Sequence, residues 1–68
     1  MLMPGQEAPD LTGREREVLN FVCERFRDKE IADLLGVSPR TVQTHVAHLR
    51  DKYGVHSRDE LRQVAKDQ

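Results

Sequence analysis

Two helical patterns of apolar residues meet at a short interruption, Gly36-Val37-Ser38-Pro39, and this interruption constrains the fold more than any other feature. Residues 29–35 before it and 40–53 after it both carry apolar side chains at helical spacing. Glycine suits the left-handed end of a helix, serine is a favoured N-cap, and proline fits the first helical position. Only a tight turn fits between the two helices, so the second helix must cross the first.

The residues around the interruption are spaced as in a helix-turn-helix. A steep crossing brings two backbones close together, and Ala32 supplies the small side chain that the first helix needs there. Val42 on the second helix is placed to pack against Ile31 and Leu35. The pattern therefore predicts a helix pair whose second member presents its outer side to the major groove of DNA.

Capping patterns predict two further helices, and no segment alternates as a strand does. Thr12 and Glu15 form a capping box that opens a first helix at Gly13, whose apolar spacing continues to Phe26. Asp28 is the expected cap of the second helix, and the third runs over 39–53. Ser57 and Glu60 form another capping box before a fourth helix. These elements predict an all-α, compact four-helix domain over residues 11–68 after a flexible leader at residues 1–10.

Length and composition limit the function classes. A chain of 68 residues is one small domain with no room for a cleft between domains. It contains neither a signal peptide nor an apolar run near the roughly 20 residues that span a bilayer, so we expect a cytoplasmic protein with no membrane partner. Cys23 is the only cysteine and is expected to be a buried core thiol.

The net charge of −1 hides an asymmetry along the chain. Residues 1–37 carry five basic and eight acidic side chains, whereas residues 38–58 carry four basic side chains and one acidic. This basic half contains the third helix. Cations beside that helix and at helix starts are suited to DNA phosphates, and the predicted phosphate contacts are Arg27, Lys29, Lys52 and Arg58.

A helical wheel divides the third helix into two sides. Val42, Val46, Leu49 and Tyr53 fall on the core side. The opposite side carries side chains that can hydrogen bond to base edges or lie against a thymine methyl group. The predicted base-contacting residues are Arg40, Gln43, Thr44 and Ala47.

Three segments, LTGREREVL at 11–19, KEIADLLGVSPRTVQTHV at 29–46 and DKYGVHSRDEL at 51–61, resemble the LuxR-type helix-turn-helix domain. This is the four-helix DNA-binding module of NarL-type response regulators, quorum-sensing regulators and GerE-like proteins. The resemblance implies binding of double-stranded bacterial promoter DNA in transcription regulation, a location at the nucleoid, and a contact with RNA polymerase. It also implies that Thr41 contacts a phosphate. His45 matches a recurrent histidine of the family and borders the core side of the helical wheel, so we expect it to have a packing and hydrogen-bonding role and not to contact bases directly.

The resemblance further implies a homodimer through the fourth helix, with Leu61, Val64 and Gln68 as the dimer surface. Arg62 and Gln63 make that surface polar, and the internal core is expected to need Leu61 and Ala65, so we expect dimerisation to be weak. Gln43 and Ala47 stand where cations are frequent in the family, and Arg25 replaces the glycine that usually ends the first helix.

Other functions remain open. Region 4 of sigma factors has segments similar to REREVL and EIADLLGVS. A capped fourth helix after Gly54 nevertheless favours the LuxR type. The weak charge at positions 43 and 47 also fits a protein-interaction module that keeps the fold. The three histidines lack the carboxylate or cysteine partners that usually complete a zinc site, and no catalytic set converges. We therefore expect no metal, no cofactor and no enzyme activity.

Overall fold

The computed structural model of the chain describes residues 10–67. Four helices follow one another, α1 (Gly13–Cys23), α2 (Asp28–Leu35), α3 (Pro39–Tyr53) and α4 (Arg58–Lys66), and the described range contains no strand. The predicted all-α, four-helix fold with a helix-turn-helix is confirmed. Residues 1–9 of the predicted leader and Gln68 lie outside the described residues. None of the described helices has the length and apolar character that crossing a membrane requires.

The core lies around α3, which packs against each of the other three helices. Ala32 is 1% exposed where α2 meets α3, as the small side chain at a close crossing should be. Every helix contributes side chains with no exposed surface, so the core joins all four elements. The fully buried side chains are Val18 and Val22 of α1, Ile31 of α2, Val42 and Leu49 of α3, and Leu61 of α4.

The turn between α2 and α3 follows the capping rules. Gly36 has a left-handed conformation with φ of 70°, and the Val37 N–H donates to the Ala32 carbonyl at 3.0 Å. Ser38 caps α3 by accepting a hydrogen bond from the Thr41 N–H at 3.2 Å. This end of α2 is a Schellman motif, in which an apolar residue follows the left-handed position.

Three local predictions need correction. The first turn of α2 begins at Asp28, with Arg27 as its N-cap, because the Asp28 carboxylate pairs with Arg58 and does not cap the helix. The Glu60 carboxylate accepts from the His56 N–H at 2.9 Å. In the predicted capping box it would accept from the N–H of the N-cap, Ser57, so this hydrogen bond is made one residue earlier than predicted. Cys23, the last residue of α1, is exposed and is not the buried core thiol that was expected. Partial burial of its thiol still raises the pKa of Cys23, which disfavours the reactive thiolate.

The first helix ends before Phe26 in the same motif as α2, but with arginine in the left-handed position. Arg25 has φ of 67°, its N–H donates to the Val22 carbonyl, and the Phe26 N–H donates to the Phe21 carbonyl, both at 3.0 Å. The rings of Phe21 and Phe26 lie 5.2 Å apart, which supplies the apolar contact that accompanies this motif. A left-handed conformation costs a residue with a Cβ roughly 1–2 kcal/mol, so this turn is strained.

We predict that Arg25→Gly raises the free energy of unfolding by about 0.5–1 kcal/mol. Glycine adopts the left-handed conformation without the Cβ penalty, and its larger unfolded-state entropy offsets only part of that gain. Urea denaturation of the two proteins measures the difference. Arg25→Ala is the matched control, because alanine also removes the charge but retains the Cβ. Equal stabilisation by alanine and glycine would contradict a backbone origin.

Candidate nucleic-acid interface

One side of α3 is available to a ligand. Arg40, Gln43, Thr44 and Ala47 are all exposed and together line a shallow surface depression. We call these four residues the α3 outer face. They lie on the side of α3 opposite its buried residues, so the packing that forms the core also presents the outer face to solvent. The structure thus brings the predicted base-contacting set together, although their contact with bases stays a prediction.

The hydroxyl of Thr44 is oriented by its own helix. Its Oγ1 donates to the Arg40 carbonyl at 3.1 Å, a common back-bond of threonine in helices. Because the hydroxyl hydrogen is occupied, the oxygen is left to accept a hydrogen bond while the methyl group remains free for apolar contact. Thr44 is therefore suited to the amino group of adenine or cytosine, or to a thymine methyl.

The N-terminal turns of α2 and α3 expose groups suited to anions. Thr41 is exposed in the first turn of α3, where its Oγ1 lies 3.0 Å from the Ser38 Oγ. Arg27 and Lys29 are exposed at the start of α2. Helix N-termini carry free amide donors and a partial positive charge, which favour phosphate oxygens. These three predicted phosphate contacts are accessible in the structure.

Lys52, another predicted phosphate contact, is instead bound within the protein. Its Nζ lies 2.7 Å from Oε1 of Glu15 and 3.0 Å from the carbonyl oxygen of Asp10. Glu15 is only 5% exposed, and its Oε1 also accepts from the Thr12 N–H at 3.0 Å. The Lys52 hydrogen bond, followed by the Thr12 backbone hydrogen bond, lowers the pKa of Glu15. This buried carboxylate thus joins the start of α1 to the end of α3.

Arg58 also has internal partners. One guanidinium nitrogen pairs with the Asp28 carboxylate, and the other donates to the Phe26 carbonyl at 2.6 Å. These contacts hold the start of α4 against the start of α2. No local pattern in the sequence indicated either interhelix ion pair, since each joins residues at least 30 positions apart. Contact of Lys52 or Arg58 with phosphate would have to compete with these partners.

Only some of the residues predicted to form the dimer interface are accessible to a partner. Leu61 has no exposed area because it completes the core between α4 and the other helices, so its assignment to the dimer surface is corrected. Val64 is half-buried and packs against the core, and Gln68 lies outside the described residues. Val64 is therefore the one described residue of that set with surface to offer a second copy.

The histidines do not converge. His45 is half-buried, with its Nδ1 enclosed and without a hydrogen-bond partner in the described part of the chain, while His48 and His56 are exposed. Across residues 10–67 no three His, Cys, Asp or Glu side chains lie where they could hold a metal ion. The position of His45 agrees with the packing part of its expected role, but the expected hydrogen bond is absent at Nδ1 within the described residues.

Comparison with known proteins gives consistent matches. Residues 9–65 match the family described as bacterial regulatory proteins, luxR family. Transcriptional regulatory protein UhpA of Escherichia coli is 45% identical over 60 residues, covering 88% of this chain and 30% of UhpA. Oxygen regulatory protein NreC of Staphylococcus aureus is 40% identical over 55 residues, covering 81% of this chain and 25% of NreC.

A solved structure is also similar. The crystal structure of the Vibrio cholera VqmA–ligand–DNA complex superposes with a TM-score of 0.85 and 38% sequence identity, covering 90% of this chain and 27% of that chain. This chain spans less than a third of the length of each of these three proteins. The matches therefore concern one module of longer proteins.

We predict that stability falls as the pH is lowered below about 4.5. The ordinary pKa of a glutamate is 4.5 and that of Glu15 is lower in the folded protein, so acid protonates the unfolded chain first. The stabilisation by Glu15 is present above this value and is lost as the pH falls through the folded-state pKa. Urea denaturation across this range measures it. Glu15→Gln should flatten the dependence, whereas the exposed Glu17→Gln should not, and equal profiles would refute this origin.

We predict that Lys52→Met lowers the free energy of unfolding by about 1–3 kcal/mol without any DNA present. The substitution leaves the buried Glu15 carboxylate without its charged partner, and such losses have this size. Thermal and urea unfolding measure the change, with the exposed Lys29→Met as the matched control. If Lys52→Met were as stable as the parent protein, the ion pair would not hold α1 to α3.

Proposed function

The chain belongs to the luxR family of bacterial regulatory proteins, and we propose that it regulates transcription by binding double-stranded promoter DNA with α3 in the major groove. The observation that carries this proposal is the α3 outer face, whose four residues are all exposed on a helix that packs against the three others. The major groove admits an α-helix, and its base edges carry a distinct hydrogen-bonding pattern for every base pair.

The chemistry of the α3 outer face supports sequence recognition. Arginine forms paired hydrogen bonds with guanine, and glutamine does so with adenine, so Arg40 and Gln43 are each suited to one base. Thr44 offers an acceptor oxygen and a methyl group, as its bond to the Arg40 carbonyl dictates. Ala47 lets the helix lie close to the base edges. Because this face has one cation, we propose that hydrogen bonding and shape contribute more to recognition here than charge does.

We propose two different roles for the residues predicted to contact phosphates. Arg27, Lys29 and Thr41 are exposed and contact the DNA backbone directly. Lys52 and Arg58 act mainly by holding the helices in place, since each has internal partners. Lys52 keeps one further N–H that can reach a phosphate while its contacts with Glu15 and Asp10 persist.

We propose that residues 11–68 are the DNA-binding unit of a cytoplasmic regulator acting at the nucleoid. The similar proteins are several times longer, which supports a modular role. Dimerisation through α4 is proposed to be weak, with Val64 and Gln68 contributing and Leu61 excluded by its burial. A contact with RNA polymerase stays a prediction of the family resemblance.

We predict that Gln43→Ala reduces the difference in binding free energy between the preferred duplex and a scrambled one by about 1–3 kcal/mol, as expected for one paired base contact. Selection from a random duplex pool supplies the preferred sequence, and fluorescence anisotropy measures both affinities. Lys29→Ala is the matched control, because loss of a phosphate contact should weaken both duplexes equally.

The reverse pattern would contradict the division of roles. Lys52 and Arg58 are unsuitable for this comparison because their removal also destabilises the fold. The salt dependence of the parent protein tests DNA binding itself, since log affinity should fall linearly with log salt by about 0.9 per phosphate contacted. Absence of any duplex binding would favour a protein-interaction module.

A further inference from the structure

A second depression adjoins the α3 outer face. It is lined by the second half of α3 and the segment that follows it, and Ala47 belongs to both depressions, so a ligand on the outer face can continue directly into it. His48 and His56 are exposed in this lining. The complete lining consists of Ala47, His48, Arg50, Asp51, Val55 and His56.

The charge of this lining depends on its two histidines. Arg50 contributes one positive charge and Asp51 one negative charge, so the lining is neutral while both imidazoles are neutral. Its charge becomes +2 when both imidazoles are protonated. Asp51 is exposed, and a neutral lining leaves its carboxylate opposing any phosphate that approaches. Histidine is the side chain whose charge ordinarily changes between about pH 5 and pH 8.

Few other charged side chains near the second depression lack a partner among the described residues. Glu60 of α4 accepts a hydrogen bond from the His56 N–H at 2.9 Å and is not part of the lining. The Arg50 guanidinium donates to the His56 carbonyl at 3.2 Å, which places a cation beside the His56 backbone. Lys52, one turn beyond His48, is bound to Glu15 of α1. The variable part of the local charge is therefore on the two imidazoles.

The position of His48 on α3 favours a phosphate over a base. Successive residues are rotated by about 100° around a helix, so His48 is displaced by that angle from Ala47 and borders the outer face. A helix in the major groove directs its central residues at the bases and its lateral residues at the phosphates on either side. His56 lies beyond the end of α3, where the chain has already turned at Gly54.

We propose that His48 and His56 are further DNA phosphate contacts, made in their protonated form, so that duplex affinity increases as the pH falls. This proposal rests on the proposed function, because it requires α3 to lie in the major groove. Protonation adds two cations and offsets the charge of Asp51. Each imidazolium then donates a charge-assisted hydrogen bond to a phosphate oxygen.

The test compares the parent protein with the double variant His48→Gln/His56→Gln by fluorescence anisotropy, over a salt series at about pH 8 and about pH 6. For the parent, the slope of log affinity against log salt should be steeper at the lower pH by up to about 1.8, from two contacts of about 0.9 each. The double variant should have equal slopes at both pH values.

Three further variants make the result specific. His48→Gln and His56→Gln alone should each remove about half of the slope change. His45→Gln removes a histidine of α3 that lies outside the second depression, so it should retain the whole change. Circular dichroism at both pH values verifies the fold, and both values lie above the acid range set by Glu15.

The outcomes separate this inference from the proposed function. If the parent binds no duplex at either pH, the proposed function fails. If it binds DNA but its salt slope is independent of pH, or if the double variant keeps the pH dependence, the phosphate contacts of His48 and His56 are refuted while DNA binding stands. A pH dependence removed only by His45→Gln would also overturn the inference.

Discussion

The burial of the apolar side of α3 is the interaction on which the rest of the structure depends. Val42 and Leu49 have no exposed surface, and they are held between helices that come from both ends of the described chain. A helix packed on one side only could rotate about its axis and change which residues it exposes. Contacts with α1, α2 and α4 oppose that rotation, because any rotation would expose apolar surface. Each Å² of apolar surface exposed to water costs roughly 25 cal/mol of free energy. The geometry of the outer face is thus a consequence of the core.

Two interhelix ion pairs supplement this small core. Lys52 with Glu15 joins α3 to α1, and Arg58 with Asp28 joins α4 to the start of α2. A domain of this size buries a limited fraction of its surface, so a partly buried charged contact between elements is a substantial share of its stability. Exposed pairs such as Arg62 with Asp59, whose side chain is 85% exposed, contribute much less. Counting cations along the sequence therefore overstates the number available to DNA.

The sequence predicted those features that depend on nearby residues. The capping box at Thr12, the turn at Gly36 and the cap at Ser38 each involve residues three to five positions apart, and the structure confirms them. The exposed set on α3 followed from helical periodicity alone. What the sequence could not predict involved distant partners, such as Lys52 with Glu15, 37 positions away, or Asp28 diverted from capping by Arg58. For Leu61 the sequence left both the internal core and a dimer surface open, and only the packing of α4 in the structure assigns this side chain to the core.

The end of α1 lies between these two cases. Arg25 gave no indication of a left-handed conformation, and the apolar spacing placed Phe26 in the first helix. In the structure Phe26 instead corresponds to Val37 and Val55 in the two motifs that contain glycine. In all three, the N–H of that apolar residue donates to a carbonyl five positions earlier, and the apolar side chain turns back toward the core. Closing the chain reversal in this way outweighs the local preference of one arginine. This partly buried apolar residue therefore determines where α1, α2 and α3 end, and glycine only lowers the strain of ending there.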